Sequence, residues 1–305
     1  MISDILKRWV RRSWKVEALA YLIHNNLLPW INYSGANLEA RSEPEAAEYV
    51  KTIAKRYRDA ARVAGKTLLG ARILEIGPGE TLGAAVCLVA WGAAEVVCVD
   101  RFDCLGELHE RGTFYRTLLN SFTVAEAERV ERLCPWVRAS PVSHQISGTI
   151  TLLSGYSLEN CNSGIGERRF DAIVSNAVLE HLRDVDGGIA AVVPLLTPTG
   201  WMFHEIDFRS HGRFDARSPL WFLTVPDLLW RLMTSRVGAP NRVRPTHFRR
   251  LFRRHGFVVR EDVVEAFPRE EIEAVLPRIV HDTRTADDLR GAVIRFTLTR
   301  EESVR

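Results

Sequence analysis

Cysteine and methionine are scarce, with five Cys and three Met in 305 residues. Cys87, Cys98, Cys104, Cys134 and Cys161 are odd in number and show no metal-type spacing, so neither a disulfide framework nor a cysteine-ligated metal is indicated. Cys87 and Cys98 lie in apolar segments, where a thiol packs as a small hydrophobe; a reducing, cytoplasmic compartment is expected. Long apolar runs are also missing. "ALAYLIHNNLLPWI" is interrupted by His24, Asn25 and Asn26, and nothing approaches the roughly 20 residues that cross a bilayer. No convincing cleavage site follows the basic stretch of Lys7, Arg8, Arg11, Arg12 and Lys15, so a secretory signal is not expected. That stretch reads as a basic amphipathic helix packed on the domain, with peripheral membrane contact as the alternative. Repeats and low-complexity tracts are absent, and a net charge of only +3 creates no field that demands nucleic acid.

What is present is an alternation of short apolar strands and helices. Residues 2–65 read as mainly helical, with Ala47, Val50, Ile53, Ala54, Tyr57 and Ala61 at helical spacing after Pro44. "ARILEIG", "EVVCVD", "TITLLSG", "FDAIVSN" and "GWMFHEIDF" then read as strands, most of them separated by helical segments. Such alternation predicts an α/β fold, a mostly parallel sheet with helices on both faces. An irregular or helical insertion over 209–255 follows, and two further strands, "GFVVREDVVEAF" and "GAVIRFTLTR", flank a helix in "PREEIEAVLPRIV". The division expected is a helical extension over 1–65 and a main domain over 66–305.

The stretch "RILEIGPGETLG" carries the first chemical signal. A strand ending in a Gly-x-Gly turn before a helix places backbone N–H groups at the carboxyl edge of the sheet, where doubly wound folds bind ligands. A dinucleotide fingerprint would have Gly or Ala where this chain has Leu82, and it would not favour the acid Glu75 ahead of the turn. Asp100 closes the next strand, where a carboxylate accepts from both hydroxyls of an unphosphorylated ribose. An adenosine-type ligand carrying an ammonium and a sulfonium is compatible with both acids.

"LEIGPGE", "VVCVD" and "FDAIVSNAVLEHL", in that order, resemble the motifs of class I S-adenosylmethionine-dependent methyltransferases over roughly 72–207. The resemblance implies a Rossmann-like seven-stranded sheet with a C-terminal antiparallel hairpin, and S-adenosyl-L-methionine as cofactor. It implies that Glu75, Gly77 and Gly79, with Pro78 between the glycines, line the methionine end. Asp100, followed by Arg101, would take the ribose, and Asn176 with Ala177 would form the strand edge facing the reacting methyl. The acid often found after the third strand is replaced by Tyr156 and Ser157, one able to stack on adenine and the other to hydrogen-bond it.

An activated methyl requires only a nucleophile held in line and, for an alcohol or phenol, help in losing its proton. "FHEIDFRSH" supplies His204, Glu205, Asp207 and His211 beyond the fifth strand. In a strand His204 and Ile206 face one side and Glu205 and Asp207 the other. The stretch also resembles, more loosely, bacterial methyltransferases of surface-glycan and small-molecule pathways. Their His-x-x-Asp, Arg-x-His and Asn-Arg-x-Arg segments match His204 to Asp207, Arg209 to His211 and Asn241 to Arg244. Asp207 or His211, with His204 beside them, is the expected catalytic group; His181, Arg209, Arg242 and Arg244 are the substrate candidates. No metal is expected from this set. Most arginines of "HFRRLFRRHG" read as the solvated face of a helix burying Phe248, Leu251 and Phe252.

The function expected is methyl transfer to a small-molecule or glycan acceptor, anionic if the arginines bind it, at oxygen rather than nitrogen. No nucleic-acid partner is expected, because no binding module is recognisable. An NAD-dependent oxidoreductase, an aminopropyl transferase and a non-catalytic binding protein remain the alternatives.

Overall fold

A computed structural model describes residues 13–27, 41–102, 112–138, 148–214, 217–234, 239–279 and 285–300. Cys104, Arg236 and the basic residues from Lys7 to Arg12 lie outside these. Helices α1 (Trp14–Leu27) and α2 (Glu43–Val63) precede β1 (Arg72–Ile76), α3 (Gly83–Ala90), β2 (Glu95–Asp100), α4 (Gly112–Asn120) and α5 (Val124–Leu133). After β3 (Ile150–Ser154) come β4 (Phe170–Asn176), α6 (Val185–Val192) and β5 (Leu196–Asp207). The chain closes with α7 (Asp227–Thr234), α8 (Pro245–Arg254), β6 (Phe257–Ala266), α9 (Arg269–Val275) and β7 (Gly291–Arg300).

The strands form one seven-stranded sheet in the order β3-β2-β1-β4-β5-β7-β6, parallel except at its C-terminal strands. Strand order runs outward in one direction from β1 and in the other from β4. The carboxyl ends of these two neighbours therefore flank the crevice where a doubly wound sheet takes its ligand. β1 is paired on both sides, Glu75 lying opposite Cys98 of β2 and Val174 of β4. Its residues Ile73, Leu74 and Ile76 are accordingly buried, as a central parallel strand requires.

Two compact units are present. The first contains residues 34–205, 250–261 and 296–305, and holds most of the sheet. Within it, α2 starts at Ser42, whose N–H and hydroxyl both donate to Glu45, and it buries Ala46, Ala47, Val50, Ala54, Tyr57 and Ala61 along one face. That face belongs to the same core as α3, α4 and β1. Burial of Val50 and Tyr57 alone stabilises the packing by roughly 2 kcal/mol each.

The second unit gathers 1–33, 206–249 and 262–295. Here Glu17 of α1 accepts from the Phe214 N–H at 3.0 Å, Asn25 donates to the Leu232 carbonyl at 2.8 Å, and Tyr21 meets Phe214 edge-on. In this division α2 belongs with the sheet and α1 with much of the insertion. Residues 250–261 belong to the sheet unit, where Phe252 packs on His204 and Phe296.

Candidate functional site

The turn after β1 uses its two glycines for different reasons. Gly77 has φ +67° and Gly79 φ +74°, a region that strains any residue with a Cβ. A Cβ on Gly77 would stand 2.4 Å from the Val178 side chain, whereas one on Gly79 would meet nothing within 4 Å. The first glycine is thus sealed by protein and the second opens on space into which a ligand can approach the backbone. The Gly77 N–H donates to the Val99 carbonyl at 2.8 Å and fixes the turn to β2.

Asp100 stands at the end of β2, half-buried. Its Oδ1 accepts from the Phe102 N–H at 2.9 Å, and its carbonyl accepts from the Tyr156 N–H at 3.2 Å. These bonds bring the loops after β2 and β3 together, with Tyr156 and Ser157 half-buried beside them. Arg101 is exposed, its guanidinium 5.5 Å from the Phe102 ring centroid.

Glu75 is placed deeper than the resemblance implies. It is 2% exposed, and its oxygens meet the Tyr57 hydroxyl at 3.4 Å and the Cys98 thiol at 3.7 Å. Burial pushes its carboxyl up to about 7, against the lowering effect of those two donors. Glu75 supports the turn from beneath.

At the end of β4, Asn176 and Ala177 sit at a strained edge. Ala177 has φ +54° and donates its N–H to the Glu205 carbonyl at 2.9 Å. Arg56, on α2, donates from Nη1 to Asn176 Oδ1 at 2.9 Å and to Glu205 Oε1 at 2.6 Å. One guanidinium therefore ties the ends of β4 and β5, whose residues Asn176 and Glu205 are register partners. Arg56 was missed by the sequence reading, because charged residues on a helix read as its solvated face. The available signal was its position between Ile53 and Ala60, at the border of the buried stripe. Arg56→Ala is expected to cost about 2 kcal/mol, since it leaves the Glu205 carboxylate, only 10% exposed, without this cation. A lower urea midpoint with an unchanged slope is the expected reading, and Arg56→Ala/Glu205→Gln should recover part of the loss.

His204 lies in the core of the sheet unit. It is fully buried, its Nδ1 shares a 2.7 Å hydrogen bond with Ser175 Oγ, and its ring stacks on Phe252 at 5.9 Å. Its Nε2 has no hydrogen-bond partner among the described residues, and burial lowers its pKa to about 3. Buried in this way, the imidazole is held in its neutral form. His181 lies in a short turn after β4 and is half-buried.

In the second unit, Asp207 closes β5 and accepts from the Arg209 backbone N–H at 3.0 Å, from Nε at 2.8 Å and from Nη2 at 2.5 Å. Burial would raise its pKa, but the hydrogen bonds from Arg209 outweigh that and hold it below the usual carboxylate value. Arg209 also meets Glu265 at 2.9 Å, so its guanidinium is taken up by two carboxylates of the protein. His211, at φ +52°, places Nε2 3.7 Å from Asp207 Oδ2. Burial lowers its pKa and the Asp207 charge opposes that. The imidazole is the more basic-competent member, since the carboxylate is stabilised in its ionised form.

The remaining arginine candidates hold backbone. Arg242 donates to the carbonyls of Phe222 and Val225 and pairs with Asp227, its guanidinium 5.7 Å from the Trp230 ring. Arg244 is 4% exposed, donates to the Phe208 carbonyl at 3.0 Å and covers the Phe208 ring at 4.9 Å. Both are substrate candidates of the sequence; here the Arg242 guanidinium faces the Phe222 and Val225 carbonyls and the Asp227 carboxylate, and that of Arg244 the Val243 and Phe208 carbonyls.

Residues 47–262 match a family described as a methyltransferase domain. No curated protein matches the chain. Among solved structures, a phosphoethanolamine N-methyltransferase 2 of Haemonchus contortus in complex with S-adenosyl-L-methionine is similar, at 16% identity and TM-score 0.44, over 98% of this chain and 60% of that one. An S-adenosylmethionine-dependent methyltransferase of Mesorhizobium loti is similar at 16% identity and TM-score 0.43, over 82% and 100%. A cyclopropane-fatty-acyl-phospholipid synthase-like protein of Lactobacillus casei is similar at 14% identity and TM-score 0.47, over 87% and 94%.

Proposed function

The chain belongs to the family of methyltransferase domains, and on that premise we propose that it methylates an oxygen of a small-molecule or glycan acceptor, with S-adenosyl-L-methionine as its cofactor. The observation that carries this reading is the glycine turn, closed at Gly77 by Val178 and open at Gly79, beside the strand-end carboxylate Asp100. Bound there, the cofactor supplies a methyl group on a positively charged sulfur. Gly77, Pro78 and Gly79 would admit its methionine end, Asp100 would accept from its ribose hydroxyls, and Tyr156 with Ser157 would meet the adenine. Asn176 and Ala177, held by Arg56 and Glu205, supply a preorganised strand edge.

On the acceptor side, His211 takes the hydroxyl proton. The Asp207 carboxylate, fixed by Arg209, favours the imidazolium that results. Because burial holds His211 below its ordinary value, the imidazole stays neutral at neutral pH, and turnover should fall as pH drops through that lowered pKa. The buried free cysteines Cys87, Cys98, Cys134 and Cys161 support a reducing, cytoplasmic setting.

The test is transfer of labelled methyl from S-adenosylmethionine into a panel of hydroxylated small molecules and oligosaccharides. His211→Asn is expected to lower kcat about 100-fold, with affinity for S-adenosylhomocysteine unchanged and the acid limb of the pH profile lost. Undiminished kcat in that variant would remove His211 from the chemistry, and labelling of amines alone would overturn the oxygen assignment.

A further inference from the structure

Helix α1 is folded inside out. Its acid Glu17 and its amide Asn25 are 4% and 3% exposed, whereas Val16, Leu19 and Ile23 are 36%, 55% and 44% exposed. The three aliphatic residues are spaced i, i+3 and i+7, so they form one stripe. The buried polar groups have partners within the unit: Glu17 accepts from the Phe214 N–H, and Asn25 donates to the Leu232 carbonyl. Packing therefore turns the polar edge of the helix inward and leaves its aliphatic edge in water, which costs free energy unless another apolar phase covers it.

Helix α7 behaves alike. Leu228 and Leu232, one turn apart, are 66% and 46% exposed, while Trp230 and Met233 are buried. Asn25 and Asn26 both donate to the Leu232 carbonyl, joining the C-terminal parts of the two helices.

Among the described residues, the unpaired charges on these two helices are cationic, and the one exposed acid, Asp227, is paired with Arg242. Lys15 on α1 and Arg231 on α7 are exposed, and Lys7, Arg8, Arg11 and Arg12 directly precede α1 in the sequence. Of the acids of the pair, Glu17 is buried on the Phe214 N–H, and Asp227, exposed at the start of α7, is paired with Arg242. Aliphatic side chains bordered by cations suit the boundary between acyl chains and anionic headgroups. No helix among the described residues is long and apolar enough to cross a membrane, so contact would lie in the plane of the surface.

We infer that the α1–α7 pair docks this unit on an anionic lipid bilayer, inserting Leu19, Ile23 and Leu228 among the acyl chains while Lys15 and Arg231 meet the headgroups. This goes beyond the methyl-transfer reading and stands without it.

The experiment is co-sedimentation of the full chain with vesicles of phosphatidylcholine alone and of an equimolar phosphatidylcholine–phosphatidylglycerol mixture, at low and high salt. Binding to the mixture is expected, weakened by salt and much weaker on phosphatidylcholine. Leu19→Glu/Leu228→Glu should reduce it roughly tenfold or more, and the milder Val16→Ser/Ile23→Ser should reduce it less, both with parental circular dichroism. Absence of binding to the mixture, or binding that neither double variant weakens, would overturn the inference. So would light scattering that finds a dimer which Leu19→Glu/Leu228→Glu converts to monomer, because a second copy would then cover the face.

Discussion

Asp100→Ala weakens S-adenosylmethionine binding about 100-fold and leaves the fold intact: this is the largest functional effect expected of any single substitution in the sheet unit. A carboxylate that accepts from two ribose hydroxyls makes two charge-assisted hydrogen bonds, each worth roughly 1.5–3 kcal/mol, and the loss of about 3 kcal/mol is about 100-fold in affinity. The structural cost is smaller. Within the protein the side chain accepts from the Phe102 N–H, and one such bond contributes about 1 kcal/mol. Asp100→Asn retains an oxygen for that turn but lacks the charge, so it should fall between the two. Calorimetric titration of the three proteins reads affinity, and thermal unfolding reads the fold. Equal affinity in Asp100→Ala and the parent would refute the ribose assignment.

Glu75→Gln is expected to change how stability depends on pH. Burial raises the folded-state pKa of Glu75 from its ordinary 4.5 to about 7. Below the lower value both folded and unfolded chains carry the proton and nothing is lost. Between the two values the unfolded chain ionises first, so the folded state loses stability as pH rises. Above the upper value both are ionised and the penalty stays constant, on the order of 3 kcal/mol. Glutamine cannot ionise, so the variant should gain on the parent across this interval, with a constant offset for altered hydrogen bonds to Tyr57 and Cys98. Urea unfolding of the cofactor-free protein on either side of the interval measures it. A difference between the two proteins that does not grow with pH would mean that Glu75 ionises as readily in the core as in water.

Much of the sheet is legible in the sequence because each strand is a short apolar run closed by a turn residue. β1, β2 and β4 end where Gly77, Asp100 and Asn176 interrupt the pattern, and the C-terminal strand candidates lie at Phe257–Ala266 and Gly291–Arg300. The grouping of helices is not legible. Nothing in the one-dimensional pattern separates α1 from α2, since both are helices ahead of β1; their assignment depends on which distant residues cover their faces. Val50, Tyr57 and Ala61 share a core with α3, while Glu17 and Asn25 find partners about 200 residues later.

The site divides along the same line. Local backbone demands, such as the positive φ of Gly77 and Gly79, leave a mark on the sequence because few residues satisfy them. Side-chain roles set by distant partners do not. His204 looked chemical because it stands near Asp207 in sequence, yet strand alternation sends it against Ser175 and Phe252. Arg242 and Arg244 read as anion ligands, and in the fold their guanidinium groups also meet the Val225 and Phe208 carbonyls, which no local pattern announces. Arg56 carries no local signal of its role, which arises only where β4 and β5 bring Asn176 and Glu205 side by side.

The most direct measurement is calorimetric titration of the full chain with S-adenosylmethionine, S-adenosylhomocysteine and NAD in parallel. The glycine turn and Asp100 predict micromolar binding of the first two and none of NAD. Binding of NAD, or of none of the three, would contradict the account at its centre.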